Sequence, residues 1–309
     1  IRDRTHTDLT HLPESIGNML LLREAHLNNN RLESLPAGIV NSVILKMLDL
    51  SNNSLTSIPE NIGNLRALMS LYLPGNELRS LPESIGKLSN LTQLWLTFNN
   101  LSSLPETIGD LENLQGLFLF GNKLTSLPDS IGKLKNLLRF DVKSNLLESL
   151  PSTFSNLSLL RELNLAHNRL TSLPENIGDL AYLTDFYLCG NRLTSLPESI
   201  GRLSILRYLY LERNMLTSLP ESIGDASNIL WLYVSYNSLE SLPESIGKLK
   251  NVSLLHVGYN QLTSIPESIG DMRCLEQLFL HDNQLTTLPK SMCNLSKLLL
   301  LDLSSNHLC

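Results

Sequence analysis

Thirteen asparagines stand in this chain at intervals of 23 residues, from Asn30, Asn53 and Asn76 to Asn306, without one insertion or deletion. A period held so strictly dictates an array in which each unit is one supersecondary element. No unit can bury its apolar face alone, so the units stack around a continuous core. Proline keeps the same lattice from Pro13 and Pro36 to Pro289, and of the 14 prolines only Pro74 lies off it. Glycine follows the lattice proline by four residues in ten units, from Gly17 to Gly270, while Val40, Ser155 and Cys293 break that rule. At 309 residues the chain holds about 13 such units, which places one repeat domain over residues 9–309. Residues 1–8 read as a degenerate N-terminal cap or linker, because Arg2 and Arg4 fall where the lattice has leucine. At the other end Leu298 to Cys309 complete a strand and stop, with Leu299 and Leu300 at positions that other units often keep polar. Terminal repeats normally carry a polar cap, so more chain is expected beyond Cys309.

Within a unit, Leu163-x-Leu165 alternates with a period of two, which predicts a short strand with both leucines inward and Asn164 outward. Successive strands then stack in parallel. The lattice asparagine, buried at the bend after the strand, must satisfy its amide on backbone groups of neighbouring coils. Proline ends the extended run and is expected at the first position of a helical turn. The residue after it is acidic in ten of thirteen units, Glu14, Glu60 and Glu83 among them. That pattern suits a carboxylate in a first turn, near unpaired N–H groups and the positive end of the dipole.

The run Leu160-Arg161-Glu162-Leu163-Asn164-Leu165-Ala166-His167-Asn168-Arg169-Leu170 resembles the leucine-rich repeat signature L-x-x-L-x-L-x-x-N-x-L. The resemblance covers nearly the whole chain after Thr7. The second half, Leu173-Pro174-Glu175-Asn176-Ile177-Gly178, resembles the 23-residue L-P-x-x-I-G class of Ras-scaffold, scribble-like, ROCO-type and plant Ras-group proteins. It implies an α/β leucine-rich repeat solenoid, or horseshoe. Its parallel β-sheet would line the concave face, and short helical or 3-10 turns the convex face.

Function in such a solenoid is carried by the outward positions that the repeat leaves free. The central outward column reads His26, Asp49, Tyr72, Trp95, Phe118, Asp141, Asn164, Tyr187, Tyr210, Tyr233, His256, Phe279, Asp302, and seven of its thirteen residues are aromatic. Flanking outward positions add Phe98, Phe120, Tyr208, Trp231, Tyr236 and Tyr259, leaving only Phe140, Phe154, Tyr182 and Phe186 off this face. Aromatics favour strands and cross-strand pairs. So large an apolar surface nevertheless points to a partner, since tyrosine and tryptophan dominate binding hot spots. Two patches emerge, Tyr72–Phe120 and Tyr187–Phe279. Between them lies a polar break of Arg139, Asp141, Lys143, Glu162, Asn164 and His167, and Arg207, Glu212, Arg213 and His256 edge the second patch. Aromatic centres ringed by charge suit a protein or peptide ligand, with the second patch as the main contact.

Other chemistries find little support. A formal charge of −6 opposes a nucleic-acid surface, and no apolar run reaches the ~18 residues of a membrane span. Four scattered cysteines read as reduced thiols of a cytoplasmic protein. The sequons at Asn52, Asn90, Asn100, Asn156, Asn251 and Asn294 are what an Asn-, Ser- and Thr-rich chain supplies by chance. There is no phosphate-binding glycine loop, and nothing orients Asp141, Ser144 and His167 as a hydrolytic trio. His256, His281 and Asp282 match no established zinc spacing, and Cys189 has no activating partner in sequence. No catalytic residue, cofactor or metal is therefore expected. The resemblance implies a signalling scaffold whose partner is a small GTPase, phosphatase or kinase. Alternatively it implies the recognition arm of a larger enzyme, such as a ROCO-type GTPase or an effector ubiquitin ligase, with catalysis outside this chain.

Overall fold

The computed structural model describes residues 9–308, so the cap or linker expected over residues 1–8 lies outside the described residues. Each 23-residue period is one coil. It contributes a three-residue strand, the first being Glu24–His26 and the thirteenth Leu300–Asp302, and a 3-10 turn, the first being Glu14–Asn18 and the thirteenth Lys290–Asn294. Two compact units, Ile1–Leu147 and Glu148–Cys309, are built to this plan. In each, neighbouring strands run parallel with partners 23 residues apart, as in Leu71 with Leu94 and Leu209 with Leu232. The middle strand residue points inward and its neighbours outward, so Leu163 and Leu165 are fully buried while Asn164 is half exposed. With Leu170, Ile177 and Leu180 these close a coil whose interior is almost wholly leucine and isoleucine. Phe140, Phe154 and Phe186 also fill this interior.

The asparagine lattice is a hydrogen-bond ladder. The Asn76 side-chain amide donates to the carbonyl of Leu73 in its own coil and of Leu50 in the previous one, each at 3.0 Å. Its Oδ1 accepts the Leu55 N–H at 3.0 Å. Asn214 repeats the pattern on Leu211, Leu188 and Leu193, also at 3.0 Å. One buried side chain thereby bonds three backbone groups at the bend, and each carbonyl is shared with the asparagine of an adjoining coil, as Leu50 is between Asn53 and Asn76 and Leu73 between Asn76 and Asn99.

Two details of the turn differ from the sequence expectation. Proline stands one residue before the turn: Pro13 is extended at φ −71°, ψ 147°, and its carbonyl accepts the Ile16 N–H at 3.0 Å. The first turn position is thus given to the acidic residue, whose target is the next coil. Glu14 Oε2 accepts the Gly38 N–H at 3.0 Å, Glu221 that of Ser245 at 3.1 Å and Glu267 that of Ser291 at 3.0 Å. Each carboxylate meets N–H groups at the start of a neighbouring turn rather than its own. The lattice glycine allows the turns to approach so closely, since a Cβ on Gly109 would collide with the Ser130 carbonyl oxygen. Among the described residues, no helix is long and apolar enough to cross a membrane.

Candidate functional site

In-register parallel pairing carries each outward side chain of one coil to its equivalent in the next. In the first unit this stacks Trp95 on Phe118 with centroids 3.8 Å apart and rings 20° from parallel, and brings Tyr72 to 6.1 Å from Trp95. Phe98 meets Phe120 edge-on at 4.7 Å, and the Lys143 ammonium lies 5.5 Å over the Phe120 ring.

The second unit extends the pattern into a five-ring ladder. Tyr187 and Tyr210 stack at 4.7 Å, Tyr210 and Tyr233 at 5.2 Å, Tyr233 and His256 at 5.9 Å, and His256 and Phe279 at 4.9 Å. Tyr208 and Trp231 form a flank at 4.9 Å, with Trp231 40% exposed. Arg207 is exposed beside them, its carbonyl accepting the N–H groups of Leu230 and Trp231.

A second row lies beyond the bend, at the residue before the lattice asparagine. Here the backbone is left-handed in every coil, and most coils use residues that tolerate it, such as Asn29, Asn52, Gly75 or Gly121. Phe98, Arg213, Tyr236 and Tyr259 hold it at φ 54–56°. For a bulky side chain that conformation costs on the order of 1 kcal/mol. In the second unit three such residues adjoin: the Arg213 guanidinium lies 4.7 Å over the Tyr236 ring, and Tyr236 stacks on Tyr259 at 4.2 Å. His281 closes the row, edge-on to Tyr259 at 5.0 Å. Sequence reasoning placed these residues on the face but did not see the conformation. Its signal was there, as bulky exceptions in a column rich in Asn, Gly and Ser.

Glu212, which the sequence assigned to the charged edge, stands two residues beyond Tyr210 and one before Arg213, and so between the two rows. Its Oε2 is buried without a hydrogen-bond partner. Burial holds its pKa above the ordinary carboxylate value, against the opposing influence of its own backbone N–H and of Arg213. Burial, the neighbouring tyrosines and Glu212 push the Tyr210 hydroxyl up to about 12. Tyr187 and Tyr233 are raised too, burial being the main cause for both. The ladder therefore presents neutral rings and protonated hydroxyls near pH 7. His256 Nδ1 is likewise buried and unpartnered, and burial followed by the nearby His281 lowers its pKa.

The polar coils behave differently. Asp49 Oδ1 accepts from the Ser51 N–H at 3.0 Å and from its hydroxyl at 2.6 Å, and Asp141 Oδ1 accepts the Lys143 N–H at 2.9 Å. These carboxylates close the bend after their own strands. His281 Nδ1 lies 3.1 Å from Asp282 Oδ2, but among the described residues no group of three or more His, Cys, Asp or Glu side chains is placed to hold a metal.

The model of the leucine-rich repeat region matches residues 4–100, 38–120 and 198–307, and a further leucine-rich repeat model matches residues 121–170. A leucine-rich repeat protein of Leptospira interrogans is 32% identical over 99% of this chain and 90% of its own, with a TM-score of 0.74. YopM, a leucine-rich effector protein of Yersinia pestis, is 28% identical over 98% of this chain and 75% of its own, with a TM-score of 0.71. The plant peptide hormone receptor RGFR1, in complex with RGF2, is 29% identical over 97% of this chain, at a TM-score of 0.80. This chain spans 54% of that receptor. No match is found among the curated proteins.

Proposed function

The chain belongs to the leucine-rich repeat family, and from that premise we propose that its outward strand face binds a protein or peptide partner, chiefly through the second patch. Of the similar structures, that of the plant peptide hormone receptor is a complex with RGF2, which supports a protein-binding reading. The observation that carries the reading is the double aromatic row of the second unit. Five stacked rings stand beside a parallel row whose members occupy a costly backbone conformation. A sheet that needed only cross-strand packing would have no use for Tyr236 and Tyr259, each about two-fifths exposed, at left-handed positions.

The partner-binding residues are Tyr187, Tyr208, Tyr210, Trp231, Tyr233, Tyr236, His256, Tyr259 and Phe279 with Arg207 and Arg213. Tyr72, Trp95, Phe98, Phe118 and Phe120 form a secondary contact. The L-P-x-x-I-G half-repeat supports membership of the 23-residue class, and with it a signalling scaffold. Its repeat domain would cover residues 9–309, its setting would be the cytoplasm, and its partner a GTPase, phosphatase or kinase.

The test is a pull-down with wild type and the Tyr210→Ala, Trp231→Ala, Tyr233→Ala triple variant, followed by titration of whatever is retained. Circular dichroism verifies that both proteins fold. Loss of a wild-type ligand from the triple variant is the expected result. Equal affinity for both proteins would remove the second patch from the site.

A further inference from the structure

On the flank of the coil, three residues before the strand, asparagine recurs at Asn90, Asn113, Asn136, Asn228 and Asn251. Each donates its amide to a carbonyl of the preceding coil, as Asn228 does to Ser204 at 2.6 Å and Asn251 to Ser227 at 3.0 Å. The three coils between hold Leu159, Tyr182 and Ile205 instead, which are 38%, 52% and 38% exposed. Leucine and isoleucine cannot make that bond. The exchange gives up an inter-coil contact and opens a row of apolar side chains to water, both unfavourable for a chain with nothing bound. The row leads into a groove of about 470 Å³ lined by Ile205, Arg207, Asn228, Leu230 and Asn251. Ile205 and Leu230 give it an apolar wall, the two bonded asparagines a fixed polar wall, and Arg207 is the one charge among these lining residues. Arg161 is exposed at the equivalent position two coils before. The carboxylates nearest in sequence, Glu162 and Asp185, belong to the strand face one residue farther on, and Asp185 accepts the Thr184 hydroxyl at 2.6 Å. The first unit has a groove of about 400 Å³ at equivalent residues, but there Ala67 and Met69 replace Ile205 and Arg207, and its one cation, Lys46, lies a coil earlier.

We propose that this flank of the second unit is a docking surface separate from the aromatic face, and that it takes an acidic–apolar segment of a protein, a glutamate followed by a leucine-sized side chain. The carboxylate meets the Arg207 guanidinium, whose planar fork suits two parallel hydrogen bonds. The apolar side chain enters the groove against Ile205 and Leu230, and Tyr182 and Leu159 continue the apolar contact along the coils. A basic segment meets like charge at Arg207 and Arg161. A segment without apolar side chains leaves the row in water. Arg207 stands where this flank meets the aromatic face and serves both.

The experiment uses synthetic peptide pools with Glu-Leu, Gln-Leu, Glu-Ser or Lys-Leu at the centre, the other positions being randomised. Each pool is passed over the full chain as wild type, as Arg207→Gln, as the flank variant Leu159→Asn, Tyr182→Asn, Ile205→Asn, and as the aromatic-face variant Tyr210→Ala, Trp231→Ala, Tyr233→Ala. Asparagine is the flank column's own residue, so the flank variant is expected to rebuild the inter-coil bonds and to melt at or above the wild-type temperature. Wild type should prefer the Glu-Leu pool over each of the others by about tenfold. Arg207→Gln should bind Glu-Leu and Gln-Leu alike, and the flank variant should bind Glu-Leu no better than Glu-Ser. The aromatic-face variant should keep the wild-type preference. A wild type that retains no pool or shows no preference overturns the flank site, as does an Arg207→Gln protein or a flank variant that behaves as wild type. Preference lost in the aromatic-face variant and kept in the flank variant moves the peptide to the aromatic face, which overturns the flank site while the reading of that face stands.

Discussion

The two aromatic patches share a frame and differ in everything placed upon it. Around Trp95 and around Tyr210 the coil is the same, with the same asparagine ladder and the same left-handed residue before each lattice asparagine. In the first unit the stacked column ends at three rings, and Phe98 in the outer row is followed by Gly121. The strand face of that unit carries charges of both signs, Asp49 and Asp141 with Arg139 and Lys143. In the second unit the column runs to five rings, the outer row holds Arg213, Tyr236 and Tyr259, and a buried carboxylate lies between the rows. A strict repeat therefore supplies positions at ladder spacing, and the choice of side chain in each coil decides what the surface can recognise.

If the frame is common, damage to it must cost the same under either patch. Asn99→Ala and Asn214→Ala each remove three hydrogen bonds and leave one N–H, of Leu78 and of Leu193, without its acceptor, and each is expected to lose about 3 kcal/mol in denaturant unfolding. A twofold disparity between them would break the comparison at its base. Damage to the surfaces, by contrast, should be unequal. The second-patch triple variant should weaken the partner by about 30-fold or more, and Tyr72→Ala, Trp95→Ala, Phe118→Ala by about threefold at most, as measured by calorimetric titration.

The outer row sharpens the contrast on a smaller scale. Phe98→Gly and Tyr259→Gly both release a left-handed strain, so each should stabilise the chain by up to about 1 kcal/mol. Only Tyr259→Gly should also reduce partner affinity. Smallest is a pH effect confined to the second patch. Because the folded-state pKa of Glu212 is raised by burial, its native form holds a proton that the unfolded chain has already released. Stability is then fully present below the ordinary glutamate range and declines as pH rises through the folded pKa. Glu212→Gln should accordingly be the more stable protein at pH 7, with the difference closing as the medium is acidified. Thermal melts at several pH values would show it, and a wild type that outlasts the variant at pH 7 contradicts the assignment.

Much of this was legible in the chain. The period gave the coil, the Leu163-x-Leu165 alternation gave the buried and open faces, and the isolation of Asn76 and its equivalents among leucines required their amides to bond backbone in adjoining coils. Thirteen aromatics at outward positions marked the face. Other features were not legible, and each for the same kind of reason. The target of Glu14 is Gly38, 24 residues away, so it follows from the distance between turns rather than from any local rule. Proline's place one residue ahead of the turn is set by the corner that joins strand to turn, where either position satisfies its fixed φ. Glu212 looked like one charge in an edge because its neighbours in sequence are Leu211 and Arg213.

The sequence by itself determined the coil, its core and the identity of the residues on its open face, because periodicity alone sorts side chains into inward and outward sets. Only the tertiary structure decided which of those residues meet. Stacking the coils 23 residues apart turned scattered tyrosines into a ladder, drew Arg213 onto Tyr236 and left Glu212 Oε2 with nothing to bind. Contacts between coils depend on register and spacing in three dimensions, and no single coil contains that information.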